Sequence, residues 1–305
     1  ARRRPQRQGK RSIMRARLIG YKLLLVCLLT ACGSADAVRS DQTAENTDGP
    51  ASDRSLGDVM SPEMFSAMFL HQAETACNAS AFTYESLIKA AQRFPAFGTT
   101  GSDEARQREV AAFLANVSHE TTGGWAEAPD GRFAWGLCFR EELACGGIPS
   151  PCAETYCQST STDFPCARGE SYHGRGPLQL SWNYNYGAAG EALGQPLLAN
   201  PSLVAEDGLI GWQAALWFWM TTQLPKPSCH DVMTGAWEPP AEEASAGRYP
   251  GFGLTVNIIN GRQECGAART GDDRVEDRIG FYLRYADMLG VSPGDHLTCD
   301  TMVEY

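Results

Sequence analysis

The sequence predicts a mainly α-helical domain interrupted by a disulfide-stapled, loop-rich segment. Apolar residues recur at helical spacing behind recognisable N-caps on both sides of the middle of the chain. Over residues 123–176, by contrast, Gly, Pro and Cys crowd together and no period persists. At 305 residues and 43% hydrophobic composition the chain can bury a substantial core, in one large domain or two lobes.

The N-terminal stretch reads as an address. Met14 is followed by Arg15, Arg17 and Lys22, by a short apolar run over residues 23–29, and by Thr30, Ala31 and Cys32, a signal-peptide layout. The run is too short to span a bilayer as a stable helix. Leu29, Thr30, Ala31 and Cys32 resemble a bacterial lipobox, which implies cleavage before Cys32 and its lipidation. The alternative is a plain secretory signal cut a few residues later, with Cys32 an ordinary cysteine. Residues 1–13 are then an upstream extension, 14–31 the signal, 32–57 the lipidated Cys and a flexible tether rich in Ser, Asp, Ala and Gly, and 58–305 the folded domain. Any membrane contact is expected through the lipid alone.

Within the domain, Ser61 and Pro62 form a plausible cap leading to Met64, Phe65, Met68 and Phe69 at helical spacing. A second helix is expected over 83–93, stopped by Pro95 and Gly98. Ser102 caps a third, with Asp103 and Glu104 in its first turn and Val110, Phe113, Leu114 and Val117 behind. After the loop-rich segment, which has room for a short hairpin, residues 207–221 are apolar on nearly every side and predict the central buried helix. Core packing is the plain reading of its tryptophans, a ligand-binding aromatic box the sharper one. The last strong helix spans 273–289, with Val275, Ile279, Tyr282 and Leu289 inward and Arg278 beside that stripe, partly buried and able to hold a carboxylate.

The third helix ends on a candidate acid. Phe113, Val117 and Glu120 sit at i, i+4 and i+7 and share a face, and a partly desolvated carboxyl is what a general acid working near neutral pH requires. If the helix stops at Ser118, Glu120 swings into water instead. His119 and Glu120 are half of a zinc-binding HExxH, but position 123 is Gly, so no metal is expected. Glu142, beside Glu141 in the stapled loops, is the second candidate, because glycosidic hydrolysis typically uses two carboxyl groups. The polar run 172–186 then offers Gln179, Ser181, Asn183, Tyr184 and Asn185, its alternation suggesting a short strand or extended loop.

Charge and cysteine content narrow the function classes. Residues 1–31 hold nine Arg and Lys and no acid, leaving seventeen basic against thirty-six acidic residues in the remainder. Nucleic acid is an unsuitable partner for that surface, and a neutral polymer or small molecule would not be repelled. Apart from Cys27 and Cys32 there are nine cysteines, none in CxxC spacing, which suits four structural bridges and one thiol in an oxidising compartment.

Several motifs, in order, carry a resemblance: HETTGGW at 119–125, FAWGLCF at 133–139, YHGRGPLQLSWNYNYG at 172–187, NPSLV at 200–204, ALWFWMT at 215–221, GFG at 251–253, NIINGRQECG at 257–266 and RVEDRIGFYLRY at 274–285. Together they resemble the catalytic domain of family 19 glycoside hydrolases, the plant-type chitinases and their bacterial relatives, over roughly residues 61–299. The resemblance implies a two-lobed, lysozyme-like helical fold with a cleft for β-1,4-linked N-acetylglucosamine chains, acting without cofactor and as a monomer. Glu120 matches the general acid, Glu142 the general base and Ser181 the serine that helps hold the attacking water, which implies inversion. His119, Trp135, Tyr156, Gln179, Tyr184, Asn185 and Asn260 match cleft positions, and Glu264 and Arg278 a supporting polar pair. By the same analogy Cys77 pairs with Cys138, Cys157 with Cys166 and Cys265 with Cys299. Cys145 and Cys152 are additional and close enough to pair with each other, leaving Cys229. Phe164 stands where plant members often have Trp, and no Cys-rich chitin-binding module is seen ahead of the domain, so a weak grip on crystalline chitin is expected. Two other readings share the fold: a peptidoglycan-degrading muramidase-type hydrolase, disfavoured by repulsion between an anionic substrate and an acidic chain, and a catalytically silent chitooligosaccharide-binding protein.

Overall fold

Side-chain caps set the starts of the long helices in the computed structural model, which describes residues 54–146, 150–152 and 155–305. The signal segment, Cys32 and most of the tether lie outside the described residues. Ser61 Oγ accepts from Met64 N at 3.2 Å, with Pro62 opening α1 (Pro62–Met68). Thr83 does the same for α2 (Tyr84–Ala91), and Ser102 for α3 (Asp103–Thr121). There follow α4 (Asn183–Leu193), α5 (Leu203–Glu206), α6 (Gly208–Met220), α7 (Cys229–Thr234), α8 (Ala241–Ser245), α9 (Phe252–Glu264) and α10 (Asp273–Met288). Asp207 caps α6 through Leu209 N and Ile210 N, and Asp272 caps α10 through Arg274 N.

Helix α3 is the centre of the larger of two cores. It packs along α10 and also meets α7 and α9, while α6 packs on α2, α4 and α5. Phe113, Trp212 and Trp219 are fully buried together, with Phe113 and Trp219 ring centroids 5.4 Å apart. Each such side chain contributes about 1.5–3 kcal/mol by burial. The tryptophans at 212 and 219 are therefore core, as the plainer reading holds. A smaller core gathers Tyr172, Leu180, Tyr186, Leu193, Leu197 and Trp217 around α4.

Four bridges pair Cys77 with Cys138, Cys145 with Cys152, Cys157 with Cys166 and Cys265 with Cys299, and the Cys229 thiol is buried and free. Leu56 and Met60, on either side of the expected domain start at 58, both lie in the core. Three features depart from expectation. No strand forms among the described residues: where a hairpin had room, isolated bridges join Glu141 to Arg175 and Arg175 to Leu180. The run 172–186 is extended only in its first part and enters α4 at Asn183. Arg278 is not half-buried but wholly buried.

Candidate active site

Helix α3 runs through Glu120 to Thr121, so Glu120 stays on the face of Phe113 and Val117 and its side chain is 18% exposed. Its neighbour is not apolar, as the stripe alone suggests, but a guanidinium. Arg278 Nη2 donates to Glu120 Oε1 at 2.5 Å and to Glu264 Oε1 at 2.9 Å, its Nε donates to Glu264 Oε2 at 2.8 Å, and its Nη1 to Asn116 Oδ1 at 2.9 Å. Burial alone would discharge Arg278, but Glu120 and Glu264 outweigh it and raise its affinity for the proton. Burial likewise opposes the charge of Glu264, yet Arg278 holds that carboxyl below its ordinary range. One guanidinium thus faces two carboxyl groups, with Glu264 taking the bidentate share.

Asn260 completes the Glu264 shell, its Nδ2 donating to Oε1 at 2.6 Å. It sits at a break in α9, where its φ of −143° interrupts the helix. Gly261 follows because a Cβ there would collide with the Asn257 side chain. The break turns residues 259–263 into the wall of a cleft of about 960 Å³ that Glu120 also lines.

Glu142 enters the same cleft from the stapled loops. Its N donates to Gly174 O at 2.9 Å, and the Cys145–Cys152 bridge begins three residues further on. Tyr156 OH donates to Glu142 Oε2 at 2.8 Å. Burial first, and then that carboxylate, push the Tyr156 hydroxyl up to about 12, so it remains a donor at neutral pH. Glu141 points elsewhere: His173 Nε2 lies 3.2 Å and Arg175 Nε 3.6 Å from its Oε2, which pins the loop. Burial, followed by Arg175, depresses the proton affinity of His173.

The third wall is formed by Gly174 and residues 178–182. Gln179 (φ 47°) and Trp182 (φ 76°) both hold left-handed backbone, which costs a non-glycine residue roughly 1–3 kcal/mol. Ser181 lies between them with Oγ donating to Gln179 O at 2.8 Å, and Asn185 Nδ2 donates to Ser181 O at 2.9 Å. Gln179, Ser181, Tyr184 and Asn185 line the cleft with Tyr156 and Asn260.

Two residues matched to the cleft by analogy are not in this wall. His119 Nδ1 lies 2.8 Å from Asp277 Oδ2, and Asp277 also accepts from Gly124 N at 2.8 Å, where the backbone comes so close that a Cβ at 124 would sit 2.7 Å from the carboxylate. Trp135 stacks on His71 at 4.1 Å and lies 5.3 Å from Trp125, outside the cleft lining. Phe164 packs over Gly187 and borders a separate cavity of about 320 Å³. Cleft residues that sequence reasoning did not assign include Gln158, Trp182, Phe218, Lys226, Arg262 and Tyr305. For Phe218 the signal was its place on the face of α6 away from Trp212 and Trp219; Tyr305 had none.

A helical scaffold with two anchored carboxylates in one open cleft has the form of a lysozyme-like glycoside hydrolase. Residues 59–299 match the glycoside hydrolase 19 family, described as Chitinase class I, and the chain belongs to that family. It is 53% identical over 269 residues to Inactive chitinase-like protein 1 of Hevea brasiliensis, spanning 88% of this chain and 82% of that one. With Chitinase 9 of Oryza sativa subsp. japonica it shares 55% over 242 residues, 79% and 70% of the two chains. The crystal structure of a family GH19, class IV chitinase from Zea mays superposes with a TM-score of 0.61 at 34% identity, covering 81% of this chain and all of that one.

Proposed function

We propose that the protein is an inverting endochitinase acting on β-1,4-linked N-acetylglucosamine chains, with Glu120 as general acid and Glu142 as general base. The observation that supports it is a symmetry in how the two carboxylates are held. Among the described residues Glu120 has only Oε1 engaged, by Arg278, and Glu142 only Oε2, by Tyr156. Each therefore keeps one oxygen for chemistry. In the reaction Glu120 gives its proton to the glycosidic O4 as the C1–O4 bond breaks. Glu142 removes a proton from a water whose oxygen bonds to C1 from the opposite face, and the anomeric centre inverts. Ser181 spends its hydroxyl proton on Gln179, so its oxygen is left to accept from that water. Exchange of one proton from Glu142 and one to Glu120 with solvent resets the site.

One relative bears the name of an inactive protein, so family membership does not by itself imply turnover; the paired acids in one cleft favour it. Four bridges suit an oxidising, extracytoplasmic location, and lipidation of Cys32 belongs to the same proposal. The decisive experiment follows chitin hexamer by mass and anomeric NMR, with purified peptidoglycan in parallel. Short oligomers released as the α-anomer are expected. Cleavage of peptidoglycan alone would move the function to the wall, and binding without turnover would make the protein a lectin-like member.

A further inference from the structure

Beyond Cys299 the chain returns to the cleft. Tyr305, six residues past the Cys265–Cys299 bridge and outside the family match, is part of the cleft wall. The segment that carries it is pinned at every step. Met302 is buried, Val303 N donates to Ala246 O at 2.8 Å, and Asn257 Nδ2 donates to Val303 O at 3.1 Å. Arg248 donates from Nε to Val303 O at 2.9 Å and from Nη2 to Glu304 O at 3.1 Å. Tyr305 N donates to Asn257 Oδ1 at 3.2 Å, and Arg262 Nε donates to Tyr305 O at 3.1 Å.

The ring is fixed as firmly as the backbone. The Arg248 guanidinium lies 3.8 Å from the ring centroid, and the hydroxyl donates to Glu243 Oε2 at 2.9 Å, an oxygen that also accepts from Arg248 Nη1. On the cleft side Lys226 Nζ is 5.8 Å from the same centroid and donates to Ile258 O at 2.7 Å. An aromatic ring immobilised beforehand loses no rotamer freedom when a ligand packs on it. It is flanked by Lys226 and Arg262, two side chains that only donate hydrogen bonds. A pyranose presents the complement of this wall: an apolar C–H face for the ring, and hydroxyl and acetamido oxygens for the donors.

We infer that Tyr305 is a specificity-determining residue, the aromatic wall of a sugar subsite on the α9 side of the cleft. It sets how an oligosaccharide is seated relative to Glu120 and hence where the chain is cut. This rests on the reading of the protein as a chitooligosaccharide hydrolase. The Cys265–Cys299 bridge anchors the chain six residues before Tyr305, and Tyr305 is only partly buried against the main core, so a substitution at 305 leaves that anchor in place and the melting curve reads any loss of packing.

The test compares wild type with Tyr305→Ala, Tyr305→Leu and Tyr305→Phe, reading hexamer affinity by calorimetry on Glu120→Gln backgrounds, product ratios on active ones, and the melting curve of each. Tyr305→Ala and Tyr305→Leu should weaken hexamer binding about three- to tenfold and redistribute dimer, trimer and tetramer products. Leu keeps bulk against Arg248, so it guards against a packing artefact. Tyr305→Phe, which keeps the ring face, should stay within about twofold of wild type. Unaltered affinity and product ratios in both Ala and Leu variants of an active enzyme overturn the subsite and leave the chitinase reading standing. A wild-type protein that binds no chitin oligomer overturns both.

Discussion

Arg278 lies 2.5 Å from Glu120 and is at the same time fully buried behind Glu264, to which it makes two hydrogen bonds. The acid at the end of α3 is thus aimed from α10 by a side chain with no contact with solvent. An ammonium cannot reproduce that fork. Arg278→Lys should lower kcat by at least about tenfold and destabilise the fold by about 3–5 kcal/mol, the cost of leaving buried charges poorly paired. A melting curve and steady-state kinetics check it; a variant with wild-type kcat would remove Arg278 from the positioning of Glu120.

Glu120→Gln keeps the shape of the side chain and an oxygen for Arg278 while removing the transferable proton. Turnover of chitin hexamer should fall by about 10²–10⁴ or more, with binding retained. Calorimetry beside a product assay separates the two, and unchanged turnover would exclude Glu120 as the acid.

Adjacent glutamates in the stapled loop should behave differently. Glu142→Gln removes the proposed base and should reduce kcat by about 10²-fold or more with folding intact. Glu141→Gln loosens the clamp on His173 and Arg175, so its loss should be read mainly in thermal stability. Equal kinetic defects in both would contradict the division of roles.

Much of this arrangement was legible in the residues. The caps at Ser61, Thr83 and Ser102 and the inward stripe of α10 are local signals, and the structure follows them. Local signals fail at α4, where the start at Trp182 is left-handed and polar alternation reads as extended chain, and at α9, where the Asn260 break and Gly261 destroy the period. Glu109 lies four residues before Phe113 on the stripe that ends in Glu120, so α3 has an acid at each end of its buried face, a signal as local as the caps. The position of Tyr305 depends on side chains from three separate stretches, and no period or motif encodes that.

Two bridges of different loop length should separate stability from activity. Opening Cys77–Cys138, which closes 61 residues, should cost about 4 kcal/mol on the chain-entropy account, against about 2 kcal/mol for the seven-residue Cys145–Cys152 loop. The shorter bridge nonetheless follows directly on Glu142. Paired Cys→Ala variants should therefore show a larger loss of kcat per degree of lost melting temperature at 145 and 152 than at 77 and 138. The reverse order would mean that the bridge does not position Glu142.

The first buried residue of α3 supplies a pH dependence. Glu109 is fully buried and accepts from Gly98 N at 3.0 Å and Trp219 Nε1 at 3.1 Å, and lies 2.6 Å from His230 Nδ1 on α7. Burial works against the imidazolium of His230, but the hydrogen bond and charge of Glu109, with a smaller contribution from Asp231, outweigh it and raise the pKa of the ring. A histidine raised in the folded state binds its proton more tightly there than in the unfolded chain. Its stabilising contribution is complete below the unfolded value of about 6.5 and is lost as pH rises through the folded value. The melting temperature of wild type should consequently fall between pH 6 and pH 9 more steeply than that of His230→Gln, which keeps an amide donor for Glu109 but cannot titrate. Parallel curves for the two proteins would show that the pair stays in one protonation state across this range and that its titration contributes nothing to the pH dependence of stability.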